Sequence, residues 1–216
     1  MTNKDITQVL FEVLIRLFVL FAAVPVHECA HAVVADKLGD PTPRNQGRIT
    51  LNPFAHLSLW GSLMFIFAGF GWGKPVMTSS KNLKHPKRDE AIIALAGPLS
   101  NLVMAYVSMV ILRFCAASNN ETAGYIALIF YYSTILNVSL AVLNLLPLPP
   151  LDGSKLFGSV LPDKIYYKIM QYERFIVIGV LVIFYTGLLS VPMAFLNDKI
   201  ISLMMILTDW VDLLIK

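Results

Sequence analysis

The sequence predicts an all-α integral membrane protein: a polytopic helical bundle of about five to six membrane segments, one of them re-entrant, with little or no soluble domain. The 216-residue chain is 56% hydrophobic and only 14% charged, whereas soluble domains are nearer a quarter charged. Its mean hydropathy is +0.67, and several apolar runs approach the roughly twenty residues that a spanning helix needs. We therefore expect residues 1–216 to form one membrane-embedded domain, with a core at about 9–157 and C-terminal membrane segments at about 174–216.

The first membrane segment is expected from about Val9 to Val34, and the sequence HECAH lies in its second half, at residues 27–31. Pro25 precedes this motif and predicts a kink, which a membrane helix tolerates when its neighbours satisfy the freed carbonyl. After a polar, turn-rich stretch, the next apolar run is Leu57 to Trp72. It is short and interrupted by glycines, so we expect it to enter the membrane and return.

The later segments follow a simple order. Ala91 to Cys115 and Gly124 to Leu146 are expected to span the membrane. The sequence PLPPLDG, residues 147–153, then breaks the second of these helices, since three of its residues are proline. Two further apolar segments are expected at 175–196 and 200–215, and the last could lie at the interface because it carries two aspartates.

Basic residues predict the orientation. Lys and Arg cluster in the stretches on both sides of the short Leu57 to Trp72 run, and again between Lys155 and Arg174. Cytoplasmic loops carry an excess of Lys and Arg. If the short run is re-entrant, all these stretches lie in the cytoplasm, the N-terminus lies outside, and the HECAH motif lies in the cytoplasmic half. The lipid bilayer is thus an expected partner.

Other function classes are disfavoured by charge and cysteine usage. The net charge of +3 is modest. The sequence also lacks a basic stripe with interleaved aromatic residues, the pattern that would suggest nucleic-acid binding. The two cysteines, Cys29 and Cys115, suggest no disulfide framework.

The HECAH motif indicates a zinc site. In H-E-x-x-H, His27 and His31 lie at i and i+4 on one helix face and can bind a single zinc ion, while Glu28 is placed to act as a general base on zinc-activated water. A chance match is expected in about one per cent of chains of this length. Ionisable groups at membrane depth are also costly, which favours a functional role.

A catalytic zinc usually has a third protein ligand, and four residues are candidates. His56 and His85 lie in polar loops and are expected to be merely solvated, and Glu90 is better explained as a charge that complements a helix N-terminus. Asp152 follows a helix that prolines have interrupted, so we expect extended backbone there. An ordinary Asp-Gly turn is a serious alternative for Asp152, but the need for another ligand favours coordination.

Asn144 lies eight residues before Asp152. Its side-chain amide could stabilise the oxyanion that forms when a peptide carbonyl is attacked. It could equally join two helices by a hydrogen bond. The residues themselves do not favour one role over the other.

Together, HECAH and the downstream NLLPLPPLDG, residues 144–153, resemble the paired signatures of the site-2 protease family of intramembrane zinc metalloproteases. The stretches RITLNPFAH, GWGKPV and ALAGPLSN are similar to its compact prokaryotic branch. The resemblance covers about 21–157. It implies zinc as a single-ion cofactor, ligands at His27, His31 and Asp152, a general base at Glu28, and a substrate-positioning or transition-state role for Asn144. The sequence HLSLWGS, residues 56–62, lacks the Asp-Pro expected after that histidine.

The resemblance further implies a multi-pass protein of the prokaryotic plasma membrane that cleaves transmembrane segments of other membrane proteins. The substrate helix must unwind before attack, and the glycine-rich stretch from Phe67 to Pro75 could present it as an added strand, although close helix packing explains these glycines equally well. Two rival functions remain: a membrane zinc transporter or sensor, and a catalytically silent scaffold. Ligands concentrated at one place beside a suitable base favour the protease.

Overall fold

The computed structural model describes residues 6–68, 73–118 and 120–215. In these ranges the protein is built of helices and turns, which confirms the all-α fold class. The α-helices, in chain order, are α1 Ile6–Phe18, α2 Val24–Lys37, α3 Thr42–Asn45, α4 Pro53–His56, α5 Leu59–Ala68, α6 Pro86–Ala116, α7 Glu121–Asn144, α8 Asp152–Gly158, α9 Asp163–Gln171, α10 Glu173–Tyr185, α11 Ser190–Leu207 and α12 Trp210–Ile215.

The helices α1 and α2 form one helical run that is interrupted by a π-helical turn. This turn, Val19–Ala23, ends directly before α2, and Pro25 is in the first turn of α2. Proline lacks an N–H and clashes with the preceding turn, so the local hydrogen-bond pattern must change. The irregularity expected at Pro25 is therefore present, in the form of a widened helical turn immediately before it.

The ends of the short apolar segment lie side by side. Leu57 and Gly73 form an isolated antiparallel bridge, and the Lys74 N–H donates to the His56 carbonyl at 2.6 Å. Residues 69–72 lie outside the described ranges. A segment whose two ends pair with each other does not run from one side of the molecule to the other, which agrees with the re-entrant interpretation.

Among the described residues, three helical runs are long and apolar enough to cross a membrane: Pro86–Ala116, Glu121–Asn144 and Ser190–Ile215. The total of five to six membrane segments stays a prediction. The helix α6 is central, since it packs against α2, α7, α8, α11 and α12. Much of the core lies where α6, α7 and α11 meet, at Ala105, Met109, Val138, Val142 and Met204.

The outer faces of these helices are apolar. Val103 and Val107 on α6, Ile129 on α7 and Leu203 on α11 are all exposed. Large contiguous apolar surfaces are rare on soluble monomers. Such faces suit contact with lipid chains.

The C-terminal break lies elsewhere than the sequence predicted. We expected segments at 175–196 and 200–215, but the chain leaves helical geometry at 186–189, where Gly187 has φ +71°. The polar residues Asn197 to Lys199 suggested a loop, yet they lie within α11, where the Asn197 side chain donates to Ser139 on α7 at 3.0 Å. The aspartates of the last segment, Asp209 and Asp212, accept from Arg113 at 2.8 and 2.7 Å.

Candidate metal centre

The two histidines of the HECAH motif lie on one face of α2. His27 and His31 are each only 7% exposed, and their Nε2 atoms are 3.0 Å apart. The i, i+4 spacing brings side chains of a helix together. The sequence predicted this arrangement directly.

Asp152 completes a cluster of three potential ligands. Its Oδ2 lies 3.1 Å from His27 Nε2 and 3.2 Å from His31 Nε2. Ligand atoms 2.0–2.2 Å from a tetrahedral zinc are roughly 3.3 Å from one another. These three atoms therefore fit a zinc ion with only a small adjustment, and they leave a fourth position for water or substrate.

The backbone around Asp152 differs from the expectation. We expected extended backbone at Asp152, but the extended residue is Leu151 (ψ 154°), and Asp152 is the first residue of α8. A Cβ at Gly153 would come within 2.3 Å of the Leu146 carbonyl oxygen and 2.4 Å of that of Leu145. The start of α8 therefore lies against the backbone that directly follows α7, while α8 itself packs on α6, and this position holds Asp152 near the histidines.

The surroundings of the Asp152 carboxyl favour its ionised form. Burial alone would raise its pKa, but hydrogen bonds with His27 and His31 and their charges lower the pKa of this carboxyl well below its usual range. Metal ligands must be deprotonated to bind. The ionised form favoured by these contacts is the form that can coordinate a metal.

The opposite edges of both imidazoles are fixed by α6. His27 Nδ1 lies 2.5 Å from Asn101 Oδ1, and His31 Nδ1 lies 2.7 Å from the Ile93 carbonyl oxygen. Between these residues is Gly97, where a Cβ would approach His31 Nε2 to 2.4 Å and His27 Nε2 to 2.5 Å. These three residues are spaced by four and share one face of α6. Metal-ligating histidines commonly donate their other N–H to such acceptors.

Glu28 lies beside the cluster without joining it. Its Oε2 accepts a hydrogen bond from the Val76 N–H at 3.2 Å, and the side chain is half-buried. The backbone at Val76 therefore orients the carboxylate. A general base is expected to lie beside the metal ligands in this way. The hydrogen bond from Val76 holds Glu28 in this position without a bound ligand or substrate.

Asn144 is the last residue of α7 and lies outside the three-residue cluster. Its Nδ2 donates to the Leu140 carbonyl of its own helix at 3.0 Å. Because Gly153 contacts the carbonyls of Leu145 and Leu146, Asn144 is at the same corner as Asp152. Its role stays a prediction.

The rival ligand candidates have other surroundings. His56 is fully buried, so the expectation that it is solvated is wrong: it lies beside the Leu57–Gly73 bridge, and its Nε2 bonds the Thr50 carbonyl at 2.8 Å. His85 is exposed and is the N-cap of α6. Glu90 accepts a hydrogen bond from the Ser80 hydroxyl. None of the three belongs to the cluster.

Sequence reasoning missed Asn101, Gly97 and the Ile93 carbonyl. They lie in the stretch IALAGPLSN, where a glycine and an asparagine are one helical turn apart. That spacing is also typical of ordinary helix packing, so only the position of α2 against α6 reveals their contact with the histidines.

Comparisons with known proteins agree with this site. The model of the family described as "Peptidase family M50" matches residues 15–121 and 114–187. The chain is 38% identical over 173 residues to "Putative zinc metalloprotease YwhC" of Bacillus subtilis, covering 78% of this chain and 79% of the relative.

Two other relatives are matched over a smaller share of their own length. The chain is 34% identical to "Putative zinc metalloprotease Rip2" of Mycolicibacterium smegmatis, over 63% of this chain and 52% of the relative. It is 27% identical to "Zinc metalloprotease MJ0392" of Methanocaldococcus jannaschii, over 77% of this chain and 38% of the relative. No solved structure gives a significant match. With a family match over most of its length and a buried cluster suited to zinc, the chain belongs to peptidase family M50, the site-2 proteases, and is a membrane zinc metalloprotease.

Proposed function

We propose that this protein hydrolyses peptide bonds in or near the transmembrane segments of other membrane proteins. The observation that carries the proposal is the convergence of His27, His31 and Asp152 within 3.2 Å, next to Glu28, in a chain with three membrane-capable helical runs. The substrate class is the part that family membership alone does not supply.

The three ligands would hold zinc through His27 Nε2, His31 Nε2 and Asp152 Oδ2. When bound, zinc supplies Lewis-acid activation of water and of the peptide carbonyl. Two neutral imidazoles and one carboxylate leave a net positive charge at the site, which favours an attacking hydroxide. The protein's own contribution is to place the ligands on two helices, α2 and α8, and to orient both histidines by hydrogen bonds with α6.

Glu28 is the proposed general base. Its Oε2 is held by the Val76 N–H, so Oε1 is the oxygen left to accept a proton from water and deliver it to the departing amine. Such proton transfer typically contributes about 10²–10⁴-fold to the rate. The hydrogen bond from Val76 helps to orient the carboxylate.

Asn144 is proposed to support the transition state. Its amide now bonds the Leu140 carbonyl, and a rotation of the side chain would direct Nδ2 away from α7. An oxyanion donor of this kind is worth about 10²–10³-fold in kcat. Its place at the corner formed by α7 and α8 supports the assignment.

The substrate must be unwound before its carbonyl can be attacked. Within the proposed strand-addition site, the backbone of Lys74 is already paired inside the protein: the Lys74 N–H donates to the His56 carbonyl, and the Lys74 carbonyl accepts from Arg48 at 3.4 Å. A substrate strand would therefore have to pair with backbone groups other than those of Lys74.

We further propose that the site opens toward the cytoplasm of a prokaryotic cell. The distribution of Lys and Arg supports this orientation. Water must reach the metal, so a polar path from the cytoplasmic side is expected. The substrate would approach from the bilayer.

The function can be tested by trapping substrates. The Glu28→Gln variant should keep its metal and bind substrates without cleaving them. Single-pass proteins that co-purify with it are then incubated in vesicles with the unmutated enzyme, and cleavage is followed by mass spectrometry. Cleavage within or beside a transmembrane segment, absent with Glu28→Gln, would support the proposal. Metal flux without hydrolysis would show a transporter instead.

A further inference from the structure

A chain of buried hydrogen bonds leads from His27 away from the metal cluster. His27 Nδ1 lies 2.5 Å from Asn101 Oδ1 on α6. The Asn101 Nδ2 donates to Asn137 Oδ1 on α7 at 2.9 Å. Asn137 Nδ2 in turn donates to the Ser133 carbonyl at 2.9 Å. Asn101 and Asn137 are both completely buried.

The direction of this chain is determined by the chemistry of its members. When Nε2 of His27 binds a metal, the ring hydrogen is on Nδ1, which must donate. An amide oxygen accepts and an amide nitrogen donates, so Asn101 must present Oδ1 to His27 and Nδ2 to Asn137. Asn137 is then oriented in the same way: its Oδ1 accepts from Asn101, and its Nδ2 donates to the Ser133 carbonyl. Every polar group along the chain has a partner consistent with one tautomer of His27.

The two ligand histidines are supported differently. The Nδ1 of His31 bonds a backbone carbonyl, that of Ile93, at 2.7 Å, which no substitution removes. The Nδ1 of His27 depends on a side chain. A substitution can therefore remove the acceptor that orients His27, but not the one that orients His31.

We propose that Asn101 and Asn137 are positioning residues that hold His27 in the Nδ1–H tautomer, with its Nε2 lone pair directed at the metal. This inference rests on the proposed function in one respect, that His27 is a metal ligand. A simpler role, joining α6 to α7 by an interhelical hydrogen bond, would require the Asn101–Asn137 bond but would not require Asn101 Oδ1 to face His27. The contact with His27 thus separates the two roles.

The experiment measures metal affinity directly, by competition between the purified full-length protein and a chromophoric zinc chelator. Asn101→Leu removes the acceptor for His27 and should weaken zinc binding by about 10–100-fold, the usual cost of losing a residue that orients a ligand. Asn101→Asp keeps an acceptor oxygen and should recover most of that affinity. The absorption spectrum of the cobalt-substituted protein should change in Asn101→Leu and be close to that of the unmutated protein in Asn101→Asp.

Thr134→Val is the matched control. Thr134 is 1% exposed at the same α6–α7 interface, but its hydroxyl bonds only the carbonyls of Phe130 and Ala105. Its replacement should leave zinc affinity unchanged. Wild-type zinc affinity and an unaltered cobalt spectrum in Asn101→Leu would overturn the proposal.

Asn137 keeps the test decisive if Asn101→Leu does not fold. Asn137→Leu should weaken zinc binding by less than Asn101→Leu but more than Thr134→Val, while Asn137→Asp, which keeps an acceptor for Asn101, should bind more tightly than Asn137→Leu. Equal affinities in Asn137→Leu and Thr134→Val would contradict the proposal. His27→Ala tests the ligand assignment separately from the positioning role. If His27→Ala keeps full zinc affinity, His27 is not a ligand. If His27→Ala loses zinc while the Asn101 and Asn137 variants keep it, only the positioning role is rejected.

Discussion

Gly97 lies against both histidines of the metal centre, and its lack of a side chain shapes the site. A Cβ there would come within 2.4 Å of His31 Nε2 and 2.5 Å of His27 Nε2. The rings cannot simply turn away, because their other nitrogens are bonded to Ile93 and Asn101. An alanine would therefore push α2 and α6 apart or displace the ligands.

We expect Gly97→Ala to lower zinc affinity and hydrolysis together, with hydrolysis reduced by about 10²-fold, since a displacement near 1 Å can cost that much. Zinc titration and cleavage of a trapped substrate provide the measurement. Gly124→Ala on α7 is the control, because a Cβ there meets nothing within 4 Å; it should be neutral or stabilising by up to about 1 kcal/mol. Full zinc affinity in Gly97→Ala would contradict the described packing.

Single residues differ in how far the sequence reveals them. His27 and His31 were predictable because helical spacing alone brings them together, and Asp152 because a zinc site needs another ligand. His56 was not, since nothing in its local sequence shows that the chain returns at Gly73 and buries it. Asn101 was missed for a similar reason: its partner, His27, is 74 residues away.

At the scale of elements, α6 organises the molecule by contacting most of the other long helices. The turn that precedes α6 depends on Asp40, a fully buried aspartate after α2. Asp40 Oδ1 accepts from Thr42 and from Asn82 Nδ2 at 2.8 Å, and Oδ2 accepts from the Ser79 N–H at 2.6 Å. These bonds hold the stretch 79–82 against the end of α2, three residues after the Val76 that orients Glu28.

This network predicts a pH dependence of stability. Burial alone would raise the pKa of Asp40, but the hydrogen bonds from Thr42, Asn82 and Ser79 hold the pKa below its usual range. The folded pKa is thus lower than the unfolded one of about 3.9. The stabilisation is fully present above that value and is lost as the pH falls through the folded pKa.

We expect Asp40→Asn to lower the free energy of unfolding by about 1.5–3 kcal/mol at neutral pH, because its amide nitrogen would face the Ser79 N–H and one charged hydrogen bond would be lost. The variant should also lose part of the acid sensitivity of the unmutated protein. Thermal unfolding in detergent between pH 3 and pH 7 measures both effects. The exposed Asp198→Asn is the control; if it and Asp40→Asn behave alike, the network is not stabilising.

Element boundaries were predictable where apolar runs end at strong breakers. The expected spans Ala91 to Cys115 and Gly124 to Leu146 correspond to α6 and α7. The C-terminal break was misplaced because Asn197 to Lys199 looks like a loop in sequence, whereas a polar face on α11 and a bond to Ser139 accommodate it. Local polarity alone does not distinguish a loop from the exposed or paired face of a helix.

For the whole molecule, the length of α6 fixes which regions lie on opposite sides of a bilayer. Its 31 residues extend about 46 Å at 1.5 Å per residue, more than the roughly 30 Å of the hydrocarbon core. Lys84 before α6 and Ser118 after it should therefore face opposite compartments. The Lys and Arg distribution predicts that Lys84 lies in the cytoplasm.

Cysteine labelling tests this orientation. In a background with Cys29→Ala and Cys115→Ala, Ser118→Cys should react with a membrane-impermeant maleimide added to intact cells, while Lys84→Cys should react only after the membrane is opened. Both positions are exposed. The reverse pattern would place the metal centre on the outer side and contradict the assigned topology.

The central claim is that zinc held by His27, His31 and Asp152 works with Glu28 as the base. The most direct test measures zinc content and cleavage of a transmembrane substrate in the same purified samples of the unmutated protein, Glu28→Gln and Asp152→Ala. We predict that the unmutated protein binds about one zinc per chain and cleaves the substrate. Glu28→Gln should also bind about one zinc per chain, with cleavage reduced at least about 10²-fold. Asp152→Ala should lose both zinc and cleavage. Unimpaired cleavage by Glu28→Gln with zinc bound, or full zinc content in Asp152→Ala, would contradict this account.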